Sequence, residues 1–459
     1  MADTKNGKYE IVIGLEVHVE LNTNTKAFCG CANKFGAEAN TNICEVCLGL
    51  PGSLPVINEG MVERAVRAGL ALNCRIAVRS KFDRKNYYYP DLPKAYQVSQ
   101  FDMPIAAGGF IEIETKESGK KRIGITRLHM EEDAGKLIHL TKTGQIGDAE
   151  ASLVDYNRGG VPLIEIVSEP DMRSAEDAYQ YLTVLKSVLK YIDVSDCNME
   201  EGSLRCDVNI SLRPRGREKL GVKVEIKNMN SFKNVHKAIE YEAARQEKML
   251  DAGEKISQET RLWDAGKGKT FSMRSKEESH DYRYFPDPDL PPLETSEEYI
   301  EKIKNSLPEL PLQKKERFEK DYGLPGYDAS VLTESIATAD YFEAAAKSCG
   351  EAKQASNWIM TELLGRMNEA GIEDMRETKI SPEALGEMIG MIKKGTISGK
   401  IAKQVFDEMF KTGEKPEKIV TDKGLVQITD TKEIEEVVDK VIACLLYTSP
   451  SPRDRTRSR

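Results

Sequence analysis

The chain has 459 residues, of which 40% are hydrophobic, 31% charged and 7% aromatic, with a formal net charge of −9 at pH 7. That is the balance of an ordinary soluble globular protein with material for two or three domains. The negative charge excludes a protein-wide basic field for gathering nucleic acid, and no apolar run approaches the ~18 residues that a membrane span needs.

The opening "MADTKNGKYE" has neither the apolar core of a secretory signal nor the Arg- and Ser-rich look of a transit peptide. Nine cysteines in a long chain of this kind suit reduced thiols, and so a cytoplasmic location. In "YEIVIGLEVHVEL", Leu15, Val17, Val19 and Leu21 alternate with Glu16, His18 and Glu20. Period two marks a half-buried strand, so two carboxylates and an imidazole share one face. Such a row is either solvated or neutralised by a cation.

Two close cysteine pairs follow, Cys29 with Cys31 and Cys44 with Cys47. Four thiolates on two short turns suit a closed, structural zinc site over residues 29–47; the alternatives are ordinary free cysteines or a redox dithiol at Cys44 and Cys47. "EGMVERAVRAGLALN" has helical spacing. "KFDRKNYYYPDLPKAY" then sets Lys81, Arg84, Lys85 and Lys94 among Tyr87, Tyr88, Tyr89 and Tyr96, a mixture that can stack a base and grip phosphates or form a plain protein interface.

Further strands read from "GGFIEIET", "RIGITRLHMEED", "VPLIEIVSE", "RCDVNISL" and "GVKVEIKN", with helices at "SAEDAYQYLTVLKSVLKYI" and "NVHKAIEYEAARQEKMLDAG" between and after them. These strands bring His129, Glu131, Glu132, Asp133, Arg158, Glu165, Arg205, Asp207, Asn209, Glu225 and Lys227 into play. Carboxylates interleaved with Arg and Lys suit a Mg²⁺-bridged triphosphate, the acids holding the metal and the cations the phosphate oxygens. Neither a P-loop nor a dinucleotide fingerprint occurs. "FSMRSKEESHDYRYFPDPDLPP" adds Arg274, Lys276, His280 and Arg283 before a proline-rich stretch, after which the chain reads as helices. The reading is α+β: a mostly antiparallel sheet domain over 1–295, a helical domain over 296–397, and a small helical unit over 398–443. The last sixteen residues, 444–459, "CLLYTSPSPRDRTRSR", read as a non-native extension or a basic tail that binds RNA.

The motifs "IGLEVHVEL", "CLGLPGSLPV", "FDRKNYYYPDLPKAYQVSQFDMPI", "LHMEEDAGK", "DYNRGGVPLIEIVSEPD", "GSLRCDVNIS", "EIKNMNS" and "RSKEESHDYRYFPDPDLPPL" resemble, in this order, the B subunits of bacterial aspartyl/glutamyl-tRNA amidotransferases, over about Tyr9 to Ala443. The resemblance implies a glutamine-synthetase-like catalytic domain followed by a helical domain and an incomplete tRNA-binding tail. It also implies ATP-dependent conversion of Glu-tRNA(Gln) and Asp-tRNA(Asn) to the amides, in a complex with an amidase (the family's A chain) and a small third protein (its C chain). On that resemblance Glu16, His18 and Glu131 are assigned to Mg²⁺, with His18 binding through water or admitting Mn²⁺. Arg158, Arg205, Lys227, Arg274, Lys276, Lys85 and Tyr88 become contacts for ATP, phosphate or substrate. The alternative class is a zinc-stabilised RNA-binding or assembly protein without catalysis.

Overall fold

A computed structural model describes residues 7–116, 119–141, 150–275, 282–372, 374–425, 435 and 438–443, with the side chains of 274 and 275 outside the description. The chain divides into two compact units between Leu310 and Pro311.

The first unit runs β1 (Tyr9–Glu20), α1 (Glu59–Ala71), β2 (Arg75–Ile76), β3 (Arg79–Ser80), β4 (Asp83–Asn86), β5 (Tyr96–Ser99), β6 (Ala106–Thr115), β7 (Gly119–Glu132), β8 (Lys136–Leu140) and β9 (Ala151–Asp155). It continues with β10 (Pro162–Ser168), α2 (Ala175–Tyr191), β11 (Leu204–Pro214), β12 (Val224–Met229), α3 (Phe232–Asp251), β13 (Glu259–Asp264), β14 (Lys269–Ser275), β15 (Phe285–Pro286), β16 (Leu293–Glu294) and α4 (Glu297–Ser306). Nine of these strands form one sheet in the order β14-β13-β12-β11-β1-β10-β7-β6-β2, with β1 at its centre. Its pairings are antiparallel except β12 with β13, which α3 connects as a crossover.

The alternation in β1 has the expected outcome. Ile11, Ile13, Leu15, Val17, Val19 and Leu21 all point into the core, while Glu16, His18 and Glu20 stay half-buried on the opposite face. The helices cover the apolar side: Tyr181, Leu182 and Leu185 of α2 and Val235, Ala238 and Ile239 of α3 belong to the same core as β1. Capping fixes where these helices begin. Ser174 accepts from the Asp177 N–H at the start of α2, and Ser231 from the Asn234 N–H at the start of α3.

The second unit contains α5 (Pro311–Asp321), α6 (Gly326–Leu332), α7 (Ile336–Cys349), α8 (Ala352–Trp358), α9 (Leu364–Ala370), α10 (Pro382–Lys393), α11 (Gly399–Thr412) and α12 (Pro416–Asp422). One core joins Phe318, Phe342, Leu363, Leu385 and Met388 to Val405, Phe406 and Met409. α4 belongs to the first unit because Ile303 packs into the first core, so that unit extends past 295. The core of the second unit is continuous across 397/398, because the apolar stripe of α11 is buried in it. Residues 444–459 lie outside the described residues. Among the described residues no helix is long and apolar enough to cross a membrane.

Leu15 is fully buried at the centre of the sheet. Leu15→Ala is expected to cost about 2–5 kcal/mol, read as a lowered urea midpoint for the first unit; an unchanged midpoint would contradict this packing.

Candidate active site

Strand register decides which polar side chains of the open face meet. His18 stands opposite Arg205 on one side and Glu165 on the other, and Glu165 stands opposite His129. One row, Arg205–His18–Glu165–His129, thus crosses β11, β1, β10 and β7. In the next row Glu16 stands opposite Asp207, and in the row after that Asn209, opposite Gly14, is paired with Glu225.

Two groups of cation-ligand atoms result. His18, Glu131 and Glu165 present ligand atoms within 4.8 Å of one another, and so do Glu16, Asp207 and Glu225. The expected trio of Glu16, His18 and Glu131 is therefore distributed over two neighbouring groups. Glu165, Asp207 and Glu225 complete them. All three lie in acid-bearing segments visible in the sequence, but only pairing register shows which acids converge.

In the first group His18 Nε2 lies 3.2 Å from Glu165 Oε2, and His129 Nε2 lies 3.1 Å from Glu131 Oε1. Ser99 Oγ donates to Glu131 Oε1 at 2.7 Å and Gln97 Nε2 to Glu131 Oε2 at 3.2 Å. Burial pushes the Glu131 carboxyl up, but the His129 hydrogen bond and the charges of His129, Lys85 and His18 outweigh it and hold the carboxyl well below the usual range. Burial likewise opposes charge on His18, and the Glu165 partner overrides it, so the imidazole is raised. Glu131 is a preformed anion.

In the second group Asn209 Nδ2 donates to Glu16 Oε1 at 2.8 Å, and Thr260 Oγ1 to Glu225 Oε2 at 2.7 Å. Lys227 pairs with Asp207, and with Glu225 at 3.3 Å. Asn209 Oδ1 is buried without a hydrogen-bond donor among the described residues, which fits an oxygen that faces a cation or a ligand. Three carboxylates form an all-oxygen set suited to a hard divalent ion; the imidazole-containing set is softer.

Cations border both groups. Arg205 Nη1 lies 2.7 Å from Asp133 Oδ2 and 3.6 Å from Glu20 Oε1. Arg158 lies 3.7 Å from Asp133 while donating to the carbonyls of Ala134 at 3.0 Å and Gly135 at 2.8 Å. Burial and the adjacent Asp133 raise the Glu20 carboxyl, whereas at Asp133 burial is outweighed by the Arg205 and Arg158 guanidinium groups, which hold that carboxyl below its usual range. Lys85 faces the charges of Glu131 and Glu165, and its ammonium sits 5.1 Å from the Tyr282 ring centre.

Other expected residues lie elsewhere. Tyr88 is 90% exposed. Arg274 belongs to β14, at the sheet edge and four strands from β1, and Lys276 lies outside the described residues. His129 and Asp133 belong to the carboxylate-rich face expected from "LHMEED", whereas Gln97 and Ser99 have no role assigned from the sequence. Gln97 and Ser99 offer no spacing signal, because β5 reaches β7 only in the folded chain.

Beside this face Cys29, Cys31, Cys44 and Cys47 bring their sulfurs within 4.8 Å of one another. The Cys44 N–H points at Cys47 Sγ, 3.2 Å away. Hydrogen bonding with Cys29 draws the Cys47 thiol down to about 5 while pushing Cys29 up. Four converging sulfurs are the donor set of a closed tetrahedral zinc site.

The model of the GatB/GatE catalytic domain matches residues 11–301, and that of the GatB domain matches 340–445. The chain belongs to this family. The B subunit of the aspartyl/glutamyl-tRNA(Asn/Gln) amidotransferase of Carboxydothermus hydrogenoformans is 58% identical over 436 residues, covering 95% of the chain and 90% of the relative. The B subunits from a Thermoanaerobacter species (58%) and from Geotalea uraniireducens (56%) match with the same coverage. The resemblance read from the motifs is thereby established, and the open sheet face lies wholly within the segment matched by the family's catalytic domain.

The ionisation pattern sets a pH dependence. His18 is raised, so its stabilising pair with Glu165 is complete below the ordinary imidazole range and is lost as pH climbs through the raised value. Glu131 and Glu165 are lowered, so their contribution is present above the ordinary carboxylate range and disappears on acidification. Glu165→Gln removes the partner of His18, and proton NMR of the histidine ring is expected to report a downward shift of the His18 titration. An unmoved titration would refute the pairing.

Proposed function

We propose that the chain is the ATP-dependent subunit of a tRNA-dependent amidotransferase. It phosphorylates the side-chain carboxylate of glutamate on tRNA(Gln) and of aspartate on tRNA(Asn), then replaces the phosphate with ammonia. The observation that carries this reading is the pair of cation-ligand groups on one sheet face with Arg205, Arg158, Lys227 and Lys85 around them. Family membership supplies the substrate class. The layout it implies is a catalytic domain of the glutamine synthetase type in the first unit, followed by a helical domain and a tRNA-binding tail in the second.

The chemistry asks one anion to attack another. The carboxylate oxygen attacks the γ-phosphorus, ADP leaves with the electron pair, and the resulting acyl phosphate reacts with ammonia at carbon, releasing inorganic phosphate. Glu16, Asp207 and Glu225, and His18, Glu131 and Glu165, would hold Mg²⁺, which when bound screens charge on the phosphate oxygens. Arg205 and Arg158 hold guanidinium groups in fixed orientation for phosphate or carboxylate oxygens. His129, Ser99 and Gln97 fix Glu131 in its ionised form, so no reorganisation is needed when substrate arrives. Lys85 and the tyrosines beside it offer a charged and aromatic wall for nucleotide or acceptor end.

The four cysteines would hold a structural Zn²⁺, closed to substrate and outside the reaction. Ammonia would come from the amidase partner, with the small third protein completing the complex in the cytoplasm. A metal-free RNA-binding scaffold is disfavoured, because buried carboxylates facing RNA phosphates would repel them.

Reconstituted with the amidase and the small third protein, the chain is expected to show Mg²⁺-dependent ATP hydrolysis stimulated by misacylated tRNA. Glu131→Gln is expected to lower that rate about 10²-fold, and a rate within about twofold of the parent would overturn the assignment.

A further inference from the structure

Lys26 has a surrounding that the reaction does not explain. Its side chain is completely buried, and among the described residues no carboxylate pairs with it. Its Nζ instead lies 3.8 Å from Cys47 Sγ and donates to the Tyr156 carbonyl at 3.3 Å. A buried ammonium is costly unless an anion compensates it. Four thiolates around a dication leave net negative charge, and Cys47 is the sulfur within reach.

The second contact ties that charge to the turn that carries Arg158. The segment from Lys26 to Cys47 is laced to this turn: the Ala27 N–H donates to the Gly160 carbonyl at 2.8 Å, Asn40 Oδ1 accepts from the Tyr156 N–H at 2.8 Å, and Asn157 Oδ1 accepts from the Asn42 N–H at 2.8 Å. Gly160 has φ +85°, and a Cβ there would sit 3.5 Å from both the Lys26 side chain and Cys47 Cβ. Turn, lysine and thiolates are therefore in mutual contact.

We infer that Lys26 is a positioning residue whose ammonium balances the thiolate group and hangs the Tyr156–Gly160 turn, and with it Arg158, from that group. The inference rests on the zinc reading above. It assigns the cysteine loop a task beyond local stapling: zinc holds the backbone from which one guanidinium of the active face projects.

The test uses the full chain loaded with zinc, with Lys26→Met as an uncharged replacement of similar length. Zinc release to a chromogenic chelator is expected to be about 10–100-fold faster than in the parent. The increase in melting temperature that zinc confers is expected to shrink, and amide exchange at Tyr156 and Arg158 to rise. A packing role alone would lower the melting temperature equally with and without zinc and leave release unchanged, which would overturn the inference. Lys26→Gln keeps a donor without the charge; it follows the same pattern and serves where Lys26→Met does not fold. Absence of bound zinc in the parent would sink the metal reading itself, a result distinct from unchanged release by a zinc-loaded variant.

Discussion

Seven carboxyl groups crowd one face of the central sheet, and the rest of the site depends on holding them at close quarters. Glu16, Glu20, Glu131, Asp133, Glu165, Asp207 and Glu225 come from β1, β12, the end of β7 and their neighbours. Unpaired, such a face would repel itself and favour protonation. The face is instead balanced by fixed cations and donors: His18 against Glu165, His129 against Glu131, Arg205 against Asp133, and Lys227 against Asp207. The apolar side of β1 secures this pattern. A slip of one residue would exchange Val17 for His18 in the core, so burial of the valine row holds every acid on the open side.

That balance suits a reaction between anions. A site that already carries ionised, hydrogen-bonded carboxylates has completed the costly desolvation during folding and can receive divalent cations without rearrangement. Guanidinium groups anchored by backbone carbonyls, as Arg158 is by Ala134 and Gly135, present charge in a set direction. Hydrogen bonds from Lys26, Ala27 and Asn42, and to Asn40, join the cysteine loop to the Tyr156–Gly160 turn that carries Arg158.

Much of this was legible in the sequence where the period was strict. Alternation in β1 identified the polar row, and Ser174 ahead of "AEDAYQ" located the start of α2. The two cysteine pairs converge as their spacing suggested. What the sequence left unresolved depends on partners distant along the chain. Glu165 reaches His18 only through antiparallel register, and Gln97 and Ser99 meet Glu131 only because β5 packs near β7. The reach of the first core is hidden for a similar reason: Ile303 lies beyond the prolines that follow Phe285, and only the folded chain brings it into that core. Lys26 carries no motif, and only its depth and its distance to Cys47 give it meaning.

The most direct measurement is anomalous diffraction from crystals of the protein soaked with Mn²⁺ and a non-hydrolysable ATP analogue. Manganese is expected at His18, Glu131 and Glu165 or at Glu16, Asp207 and Glu225, bridging to the triphosphate, with Arg205 or Arg158 facing its oxygens. A triphosphate bound away from this face, with no manganese at either group, would contradict the assignment of the carboxylate face to phosphoryl transfer.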